Sequence, residues 1–324
     1  MEFDSSAPIL KDICELIVDC EHKTAPTQEI GIPSIRTPNI GRGRLILDGV
    51  NRVSEETYEE WTKRAKPQHE DLILAREAPI GNVALIPKGL RVCLGQRTVL
   101  IRPSKNVVNP HYLCYLLLSD QVQGRMLGWA NGATVRHLNM KDIRNLALPP
   151  LPPKPVQDTI ASILSAYDDL IENNTRRIQI LEEMAQMLYQ EWFVNFRFPG
   201  HEQAKFVESE LGPIPEGWGV GRLDEALILQ RGFDLPKKKR QEGSVPIYAA
   251  TGIAGFHNES KAKAPGVVTG RSGSLGTVNY IDEDFWPLNT TLWAKEFKKA
   301  TPAYAFYLLR DTHRNKVPTR VDAF

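Results

Sequence analysis

Clustered carboxylates and a glycine-rich stretch are the features of this sequence whose spacing could support chemistry on a phosphate. Four glutamates within residues 55–60 lie close to Lys63, and a nuclease site needs carboxylates clustered near a lysine. Their spacing also fits one helical run, and a solvated helix face explains them better. Residues 270–276 lack the Gly-Lys-Ser/Thr ending of a phosphate-binding loop and the Gly-x-Gly-x-x-Gly spacing. We interpret them as a tight turn between two strands.

Residues 109–112, Asn-Pro-His-Tyr, differ by one residue from the Asn/Asp-Pro-Pro-Tyr/Phe loop that holds the target amine in adenine methyltransferases. The alternative is a helix start, with Asn109 as the N-cap and Pro110 at the first helical position. An internal copy of this segment has Thr301 in place of Asn109. Threonine is a good N-cap, but it cannot grip an amine as well as asparagine. We therefore favour the helix start over a catalytic loop.

The histidines and cysteines of the sequence do not form a metal-ligand pattern. There are seven histidines, without a His-Glu-x-x-His motif, and the four cysteines fall at no metal-ligand spacing. We therefore expect no metal and no cofactor. The N-terminus lacks the features of a signal peptide, and the longest apolar runs fall far short of the roughly 20 residues that span a bilayer. We expect a cytoplasmic protein with reduced thiols and no membrane partner.

Charge is distributed unevenly along the 324 residues. Residues 1–150 hold 19 Lys and Arg against 17 Asp and Glu, which gives +2, and residues 201–324 hold 17 against 15, again +2. Residues 151–200 hold 4 against 7, which gives −3. Two mildly basic blocks thus flank an acidic segment. This pattern allows nucleic-acid binding, although proteins that coat DNA non-specifically are usually more basic.

The two basic blocks contain copies of one pattern. Residues 109–117 match residues 301–309 at an offset of 192, and residues 72–83 match residues 267–278 at an offset of 195. Both copies run from an apolar strand through an arginine, a small-residue turn and a second strand to a proline-capped helix. Short strand-like runs alternate with turn signals in each block. The repeat predicts two copies of one α+β domain.

A long helix is predicted between the copies. Residues 149–155 are proline-rich, whereas residues 156–195 contain neither proline nor glycine and show apolar residues at alternating spacings of four and three over five heptads. One set of heptad positions holds Ile160, Tyr167, Asn174, Leu181 and Leu188, and the other holds Leu164, Ile171, Ile178, Ala185 and Trp192. A core helix of one domain is the alternative. We favour a coiled-coil subunit interface because the stripe is narrow, long and interrupted by one polar residue, which commonly sets register.

Two related domains separated by such a helix resemble the specificity (S) subunit of type I restriction–modification enzymes. The proline-rich run at residues 146–153 looks like the end of the first recognition domain in that family. Further similar segments are residues 16–24, 31–36, 71–76, 80–83, 95–97 and 212–218. The resemblance covers nearly the whole chain. It depends on the order of these motifs, because no single one is specific.

The resemblance implies a subunit that reads a bipartite sequence in double-stranded DNA and docks methyltransferase (M) and restriction (R) subunits without performing chemistry itself. It assigns residues 1–150 to a first target-recognition domain, residues 151–199 to a spacer helix and residues 200–324 to a second recognition domain. In this family a second long helix pairs with the first. At the offset of 192 the counterpart of Pro149 would be residue 341, beyond residue 324, so we expect a second domain that is incomplete at its C-terminal end and no second long helix. This expectation suggests a homodimer through the unpaired helix.

Two other functions remain open at this stage. One is an adenine-specific methyltransferase or a methylase–specificity fusion fragment, and the other is a coiled-coil interaction protein without DNA binding. Binding of S-adenosylmethionine by the isolated chain would favour the first of these.

Residues that could contact DNA lie at predicted turns of both copies. Arginine reads guanine and glutamine or asparagine reads adenine, whereas phosphates are held by lysine, arginine, serine and threonine. The candidates in the first copy are Arg36, Thr37, Asn39, Arg42, Arg44, Arg76, Gln96 and Arg97. Those in the second copy are Lys237, Lys238, Lys239, Arg240, Tyr248, Arg271, Ser272, Asn289 and Thr290. Arg76 and Arg271 occupy equivalent positions of the repeat, and a solvated surface side chain is the alternative for each residue.

Overall fold

The computed structural model describes residues 7–129, 137–271, 277–315 and 321–322. These residues form two compact units, Met1–Asn174 and Thr175–Phe324, so the division falls inside the long helix. Each unit combines helices with mainly antiparallel sheets, which confirms the predicted α+β class.

The first unit contains a four-stranded and a three-stranded sheet. Its strands are β1 (Cys14–Asp19), β2 (Ile32–Ile35), β3 (Arg52–Val53), β4 (Leu72–Ala75), β5 (Val83–Leu85), β6 (Cys93–Leu94) and β7 (Thr98–Pro103). Its short helices are α1 (Glu55–Trp61), α2 (Pro110–Leu118), α3 (Asp120–Trp129) and α4 (Met140–Arg144). The larger sheet is antiparallel with the order β1-β7-β4-β5. The smaller has the order β3-β2-β6, with β2 parallel to β6.

The larger sheet of this unit is buried on both faces. Leu72 and Leu74 of β4 belong to one hydrophobic core, together with residues of α2 and α3. Ile73 and Ala75 belong to a second core that includes Ile35 of the small sheet. Successive side chains of a strand point to opposite faces, so burial of all four residues requires a cover on each side. Polar side chains can therefore reach solvent mainly where the strands end.

The long helix, α5 (Lys154–Tyr189), has 36 residues and continues into a π-helical turn at Gln190–Val194. Its first turns pack on the first unit through a polar face. Gln157 is buried and accepts a hydrogen bond from the Asn109 backbone N–H at 2.9 Å. The Tyr115 hydroxyl donates to Asp168 at 2.6 Å. Burial, followed by this hydrogen bond, raises the pKa of Tyr115 to about 12.

Most of the heptad stripe of α5 is exposed. Tyr167 is 63% exposed and Leu181 is 62% exposed, while Ile160 and Ala185 are half-buried. The other exposed stripe residues are Leu164, Ile171, Asn174, Ile178, Leu188 and Trp192. The helix is therefore not a core element of either unit along this face. The exposed apolar surface is also wider than the narrow stripe expected, because Ile163, Leu170 and Met184 beside the stripe are exposed too.

The second unit contains the remaining elements. Its strands are β8 (Phe206–Val207), β9 (Ile214–Pro215), β10 (Val220–Gly221), β11 (Leu227–Arg231), β12 (Val245–Ala249), β13 (Gly252–His257), β14 (Gly266–Gly270), β15 (Val278–Ile281), β16 (Trp286–Pro287), β17 (Thr291–Phe297) and β18 (Val321–Asp322). Its helices are α6 (Leu223–Ala226) and α7 (Pro302–Asn315).

Strand order in the second unit repeats that of the first. The four-stranded sheet has the order β11-β17-β14-β15, and the three-stranded sheet has the order β13-β12-β16 with β12 parallel to β16. Each strand of these two sheets thus has a counterpart with the same neighbours in the first unit, as the internal repeat predicts, whereas β8 pairs with β9 and β10 with β18 in two-stranded sheets. The proline-capped helices α2 and α7 follow the last strand of the four-stranded sheet, β7 or β17, in both units.

Aromatic side chains fix the end of the long helix in the second unit. The ring of Tyr189 stacks on Tyr307 at 5.8 Å between centroids, and Phe193 contacts Tyr304 edge-on at 5.1 Å. Trp218 adds a ring to this cluster 6.1 Å from Phe193. Such pairs contribute about 0.5–1.5 kcal/mol each beyond their buried area. The cluster gives the helix end a defined attachment to the unit that follows it.

A buried ion pair should contribute strongly to the stability of the first unit. Asp71 is 3% exposed and accepts hydrogen bonds from Arg102 at 2.8 and 2.7 Å and from the Gln68 backbone at 2.8 Å. The hydrogen bond to Asp71 also raises the pKa of Arg102. We expect Asp71→Ala to lower the free energy of unfolding by about 3 kcal/mol, because it leaves a largely buried guanidinium unpaired.

Denaturant unfolding of the full chain measures this effect, and Glu59→Ala serves as its control. Glu59 pairs with Lys66 at 2.7 Å, but both side chains are about half exposed, so the loss should stay below about 1 kcal/mol. Equal losses for the two variants would contradict the assignment.

Candidate nucleic-acid interface

Three strand ends meet at one edge of the first unit. Asp19 ends β1 opposite Val99 of β7, and Ala75 ends β4 opposite Thr98. The segments that follow β1 and β4 therefore converge with the segment that precedes β7. They line a cleft of about 300 Å³, which we call the first corner. Its residues are His22, Arg76, Glu77, Gln96 and Arg97.

Arg76 is held firmly at the base of the first corner. Its Nη1 lies 2.7 Å from Oδ2 of Asp19, and its Nε donates to the Leu138 carbonyl at 2.8 Å. The two charged side chains are only 15% and 16% exposed. His22 places its Nε2 3.2 Å from the same carboxylate oxygen. Since Arg76 would have to leave these partners to reach a ligand, the geometry suits a supporting role better than a direct contact.

Gln96 and Arg97 project from the turn that precedes β7. Gln96 is half-buried and donates from Nε2 to the His22 carbonyl at 3.0 Å. Arg97 is 62% exposed, and its Nε lies 2.9 Å from Glu77. The backbone of Arg97 has φ +66°, in the left-handed region that non-glycine residues seldom adopt. Unusual backbone conformations of this kind concentrate at functional sites.

The remaining candidates of the first copy lie on the segment after β2. Arg36 is exposed and belongs near the first corner, because a Cβ on Gly95 would stand 2.6 Å from its Cγ. Thr37 and Asn39 form a 3₁₀ turn, and both ends of the Asn39 amide bond to the backbone of this segment. Arg42 donates to the Leu118 carbonyl at 2.9 Å. These contacts give the side chains of Asn39 and Arg42 structural roles, and Thr37, Asn39 and Arg42 are not among the residues that line the first corner.

Arg44 lies apart from the first corner as well. It lines a separate cavity beside the start of α5, together with His111 and Asp168. The structure therefore brings Arg36, Arg76, Gln96 and Arg97 together and leaves the other candidates of this copy elsewhere.

The candidate residues of the second copy are spread over the second unit. Lys237–Lys239 form an exposed 3₁₀ turn, and Arg240 donates from Nη1 to the Ala254 carbonyl at 2.9 Å. Tyr248 is half-buried in β12 and packs edge-on against Phe285. Ser272 lies outside the described residues.

Arg271, Asn289 and Thr290 come together in the second unit. Arg271 is exposed, and its backbone N–H donates to the Thr290 carbonyl at 3.0 Å. The Asn289 side-chain amide donates to the carboxylate of Asp234. Asp234 also lies 3.6 Å from Arg231, the last residue of β11. This group, Arg231, Asp234, Arg271, Asn289 and Thr290, is called the second corner below.

Sequence reasoning did not select four residues of the two corners: His22, Glu77, Arg231 and Asp234. The first strands of the two units, β1 and β11, show no recognisable sequence match, so the internal repeat does not relate the residues that follow them. Only the pairing of each first strand with β7 or β17 brings His22, Arg231 and Asp234 to the turn. Glu77 follows Arg76 after β4, and its contact with Arg97 depends on the fold.

The catalytic interpretation of residues 109–112 does not fit the geometry. The Asn109 side chain accepts from the Tyr112 backbone at 3.0 Å and donates to Asp158 at 2.7 Å, so both ends of its amide are occupied. In the second copy Thr301 accepts from the Tyr304 backbone at 3.2 Å. The helix-start interpretation is therefore confirmed in both copies. The four glutamates near Lys63 are exposed and occupy α1, as predicted.

Within the described residues, no three His, Cys, Asp or Glu side chains lie close enough together to hold a metal ion. No helix in the same residues is both long and apolar enough to cross a membrane.

Comparison with known proteins gives a consistent result. The family model described as "Type I restriction modification DNA specificity domain" matches residues 9–183. The MjaIX specificity subunit of Methanocaldococcus jannaschii, a type I restriction enzyme subunit, is 30% identical over 194 residues, which cover 60% of this chain and 44% of that subunit. The HindI specificity subunit of Haemophilus influenzae is 34% identical over 100 residues, 30% of this chain and 22% of the relative.

The chain spans about half or less of the length of the curated relatives it matches. Among solved structures, the S subunit of a type I restriction-modification system from M. genitalium aligns with a TM-score of 0.59. The alignment covers 95% of this chain and 77% of that one at 16% identity, which supports a shared fold.

The thiols of the four cysteines should react slowly in the native chain. Burial raises the pKa of Cys14, Cys93 and Cys114 to about 12, and it also raises that of Cys20. At pH 8 a thiol of pKa 12 is ionised to about one part in ten thousand, and only the thiolate reacts. We expect Ellman's reagent to label the native chain much more slowly than the chain unfolded in guanidinium chloride. Rapid labelling of the native chain would contradict these burial assignments.

Proposed function

The chain belongs to the type I restriction modification DNA specificity family, and from that premise we propose that it is the DNA-recognition subunit of a type I restriction–modification complex. The observation that carries the proposal is the pair of units with one topology, each with a polar corner at the same sheet edge. Two similar readers on one chain suit a target made of two half-sites. Arginine and amide side chains at the corners are the types that read base edges in a major groove.

Partners follow from this proposal. The first is double-stranded DNA, with the exposed Lys237–Lys239 turn available for phosphates. The others are M subunits, which would supply the methyl transfer, and R subunits, which would join through the assembled complex. The chain itself would be non-catalytic and would need no cofactor.

Exchange of one recognition block tests the proposal. We expect replacement of residues 20–145 by the corresponding block of a relative to change one half of the methylated motif and to leave the other half unchanged, because each unit has its own sheet edge. Mapping methylated adenines in a host that carries the chimera measures this. A change in both halves would contradict independent reading. Measurable S-adenosylmethionine binding by the isolated wild-type chain would favour a methyltransferase instead.

A second copy of the chain is the partner we propose for the exposed stripe of α5. Asn174 lies midway between Ile160 and Leu188, so antiparallel pairing of two such helices can place Asn174 against its own copy. Full burial of one aliphatic side chain contributes about 1.5–3 kcal/mol. The segment 151–200 carries four basic and seven acidic residues, and repulsion between exposed charges is weak by comparison.

Sedimentation of the full chain at micromolar concentration tests this pairing. We expect a dimer that dissociates when Ile171 and Ile178 are both replaced by Asp, because two charges would enter the apolar seam. Ile180→Asp is the matched control, since Ile180 is exposed on the same helix but lies outside the heptad positions. A wild-type monomer, or a dimer that the control disrupts equally, would refute the pairing.

A further inference from the structure

The two corners share one backbone design. In the first unit the Thr98 hydroxyl donates to the Gly95 carbonyl at 2.8 Å, and in the second the Thr291 hydroxyl donates to the Leu288 carbonyl at 2.7 Å. Each bond closes a turn that leads into the last strand of the large sheet, β7 or β17. The side chains of the two residues inside each turn, 96–97 and 289–290, are therefore presented from matching positions.

The neighbouring strand supports both turns in the same way. The Arg76 backbone N–H donates to the Arg97 carbonyl at 2.9 Å, and the Arg271 N–H donates to the Thr290 carbonyl at 3.0 Å. These bonds link the end of β4 or β14 to the second residue of the turn. The two arginines are thus equivalent in space as well as in sequence, and so are the turns they support.

The first strands complete the match while their side chains differ. Asp19 pairs with Val99 in β7, and Arg231 pairs with Leu292 in β17, so the two residues are equivalent. Each lies close to the residue three positions later. In the first unit the Asp19 carboxylate lies 3.2 Å from the His22 ring, and in the second the Arg231 guanidinium lies 3.6 Å from the Asp234 carboxylate, so the carboxylate is on the strand end in one unit and on the later residue in the other. The two units thus share the same backbone arrangement of strand ends and turn, but they differ in the polar side chains at these positions.

The first turn residue is a primary amide in both units. Gln96 donates one N–H to the His22 carbonyl at 3.0 Å, and Asn289 donates one N–H to Asp234. Neither amide has a second hydrogen-bond partner within the described residues. Its oxygen and its other N–H can therefore serve a ligand, and an amide oxygen beside an N–H is the pair that complements N6–H and N7 of adenine.

The residues next to the amides also differ between the corners. Arg97 is exposed and pairs with Glu77 in the first corner, whereas the Thr290 hydroxyl oxygen of the second corner is buried without a hydrogen-bond partner in the described structure. The corners therefore offer different donors and acceptors from one frame, as two readers of different half-sites require.

We propose that Gln96 and Asn289 are the specificity-determining side chains of the two units, each reading the major-groove edge of an adenine in its own half-site. This inference rests on the proposed function, because it assigns residues to the DNA recognition argued above. Arg76 acts in it as a positioning residue that supports the turn, since its side chain is committed to Asp19 and Leu138.

Selection from a randomised duplex DNA library tests the assignment. The full chain, alone and combined with an M subunit, is used to select duplexes, and the enriched sequences are read. We expect the wild type to select a split motif with an adenine in each half. Gln96→Ala should reduce the preference at one position of one half by roughly 5- to 100-fold, and Asn289→Ala should do the same in the other half.

Two controls separate readout from folding. Gln121→Ala and Asn258→Ala remove exposed amides from the same two units outside the corners, and they should leave the motif unchanged. Gln96→Arg should move the preference at its position from adenine to guanine, which a misfolded unit cannot do.

The outcomes also separate the two proposals. If the wild type selects a split motif that Gln96→Ala and Asn289→Ala leave unchanged, the assignment of these residues is wrong and the proposed function stands. If the wild type selects no motif under either condition, the proposed function fails and the assignment fails with it.

Discussion

The strand order of the large sheet is the constraint on which the functional geometry depends. In each unit the last strand of the large sheet, β7 or β17, lies between the first strand and β4 or β14. The end of the first strand, the end of β4 or β14 and the turn before β7 or β17 therefore meet at one sheet edge. Burial of the sheet faces leaves such strand ends as the places where polar side chains can reach solvent. The corners are a consequence of this topology.

On the proposed function, stability and DNA recognition depend on different side chains that lie within a few residues of one another. Arg76 and Asp19 form a pair that is shielded from water, so their geometry is firmly held. Gln96 is half-buried and Arg97 is exposed, so a ligand can compete for their hydrogen bonds. This division lets the outer side chains vary without loss of the frame, because the turn itself is closed by a threonine and by backbone bonds.

Patterns with strong local periodicity or capping were predictable from the sequence. The heptad spacing located α5 to within a few residues, and the Asn109 and Thr301 caps located α2 and α7. These features depend on neighbours along the chain. The corners depend instead on pairing between distant strands, so His22 and Asp234 could not be selected. The matched stretches of the two copies differ by offsets of 192–195, whereas Asp19 and Arg231 are 212 positions apart.

Carboxylates in both corners bear on what these surfaces can bind. Asp19 and Glu77 lie in or beside the first corner, and Asp234 lies in the second, each close to a side chain that could reach DNA. A carboxylate repels a phosphate but tolerates, and can orient, the donors that read a base edge. The mild net charge of +2 on each flanking block agrees with this, because attraction to the phosphate backbone grows with the number of basic contacts. On the proposed function, the corners discriminate between bases, and affinity for the duplex comes from basic groups elsewhere, such as Lys237–Lys239, or from partner subunits.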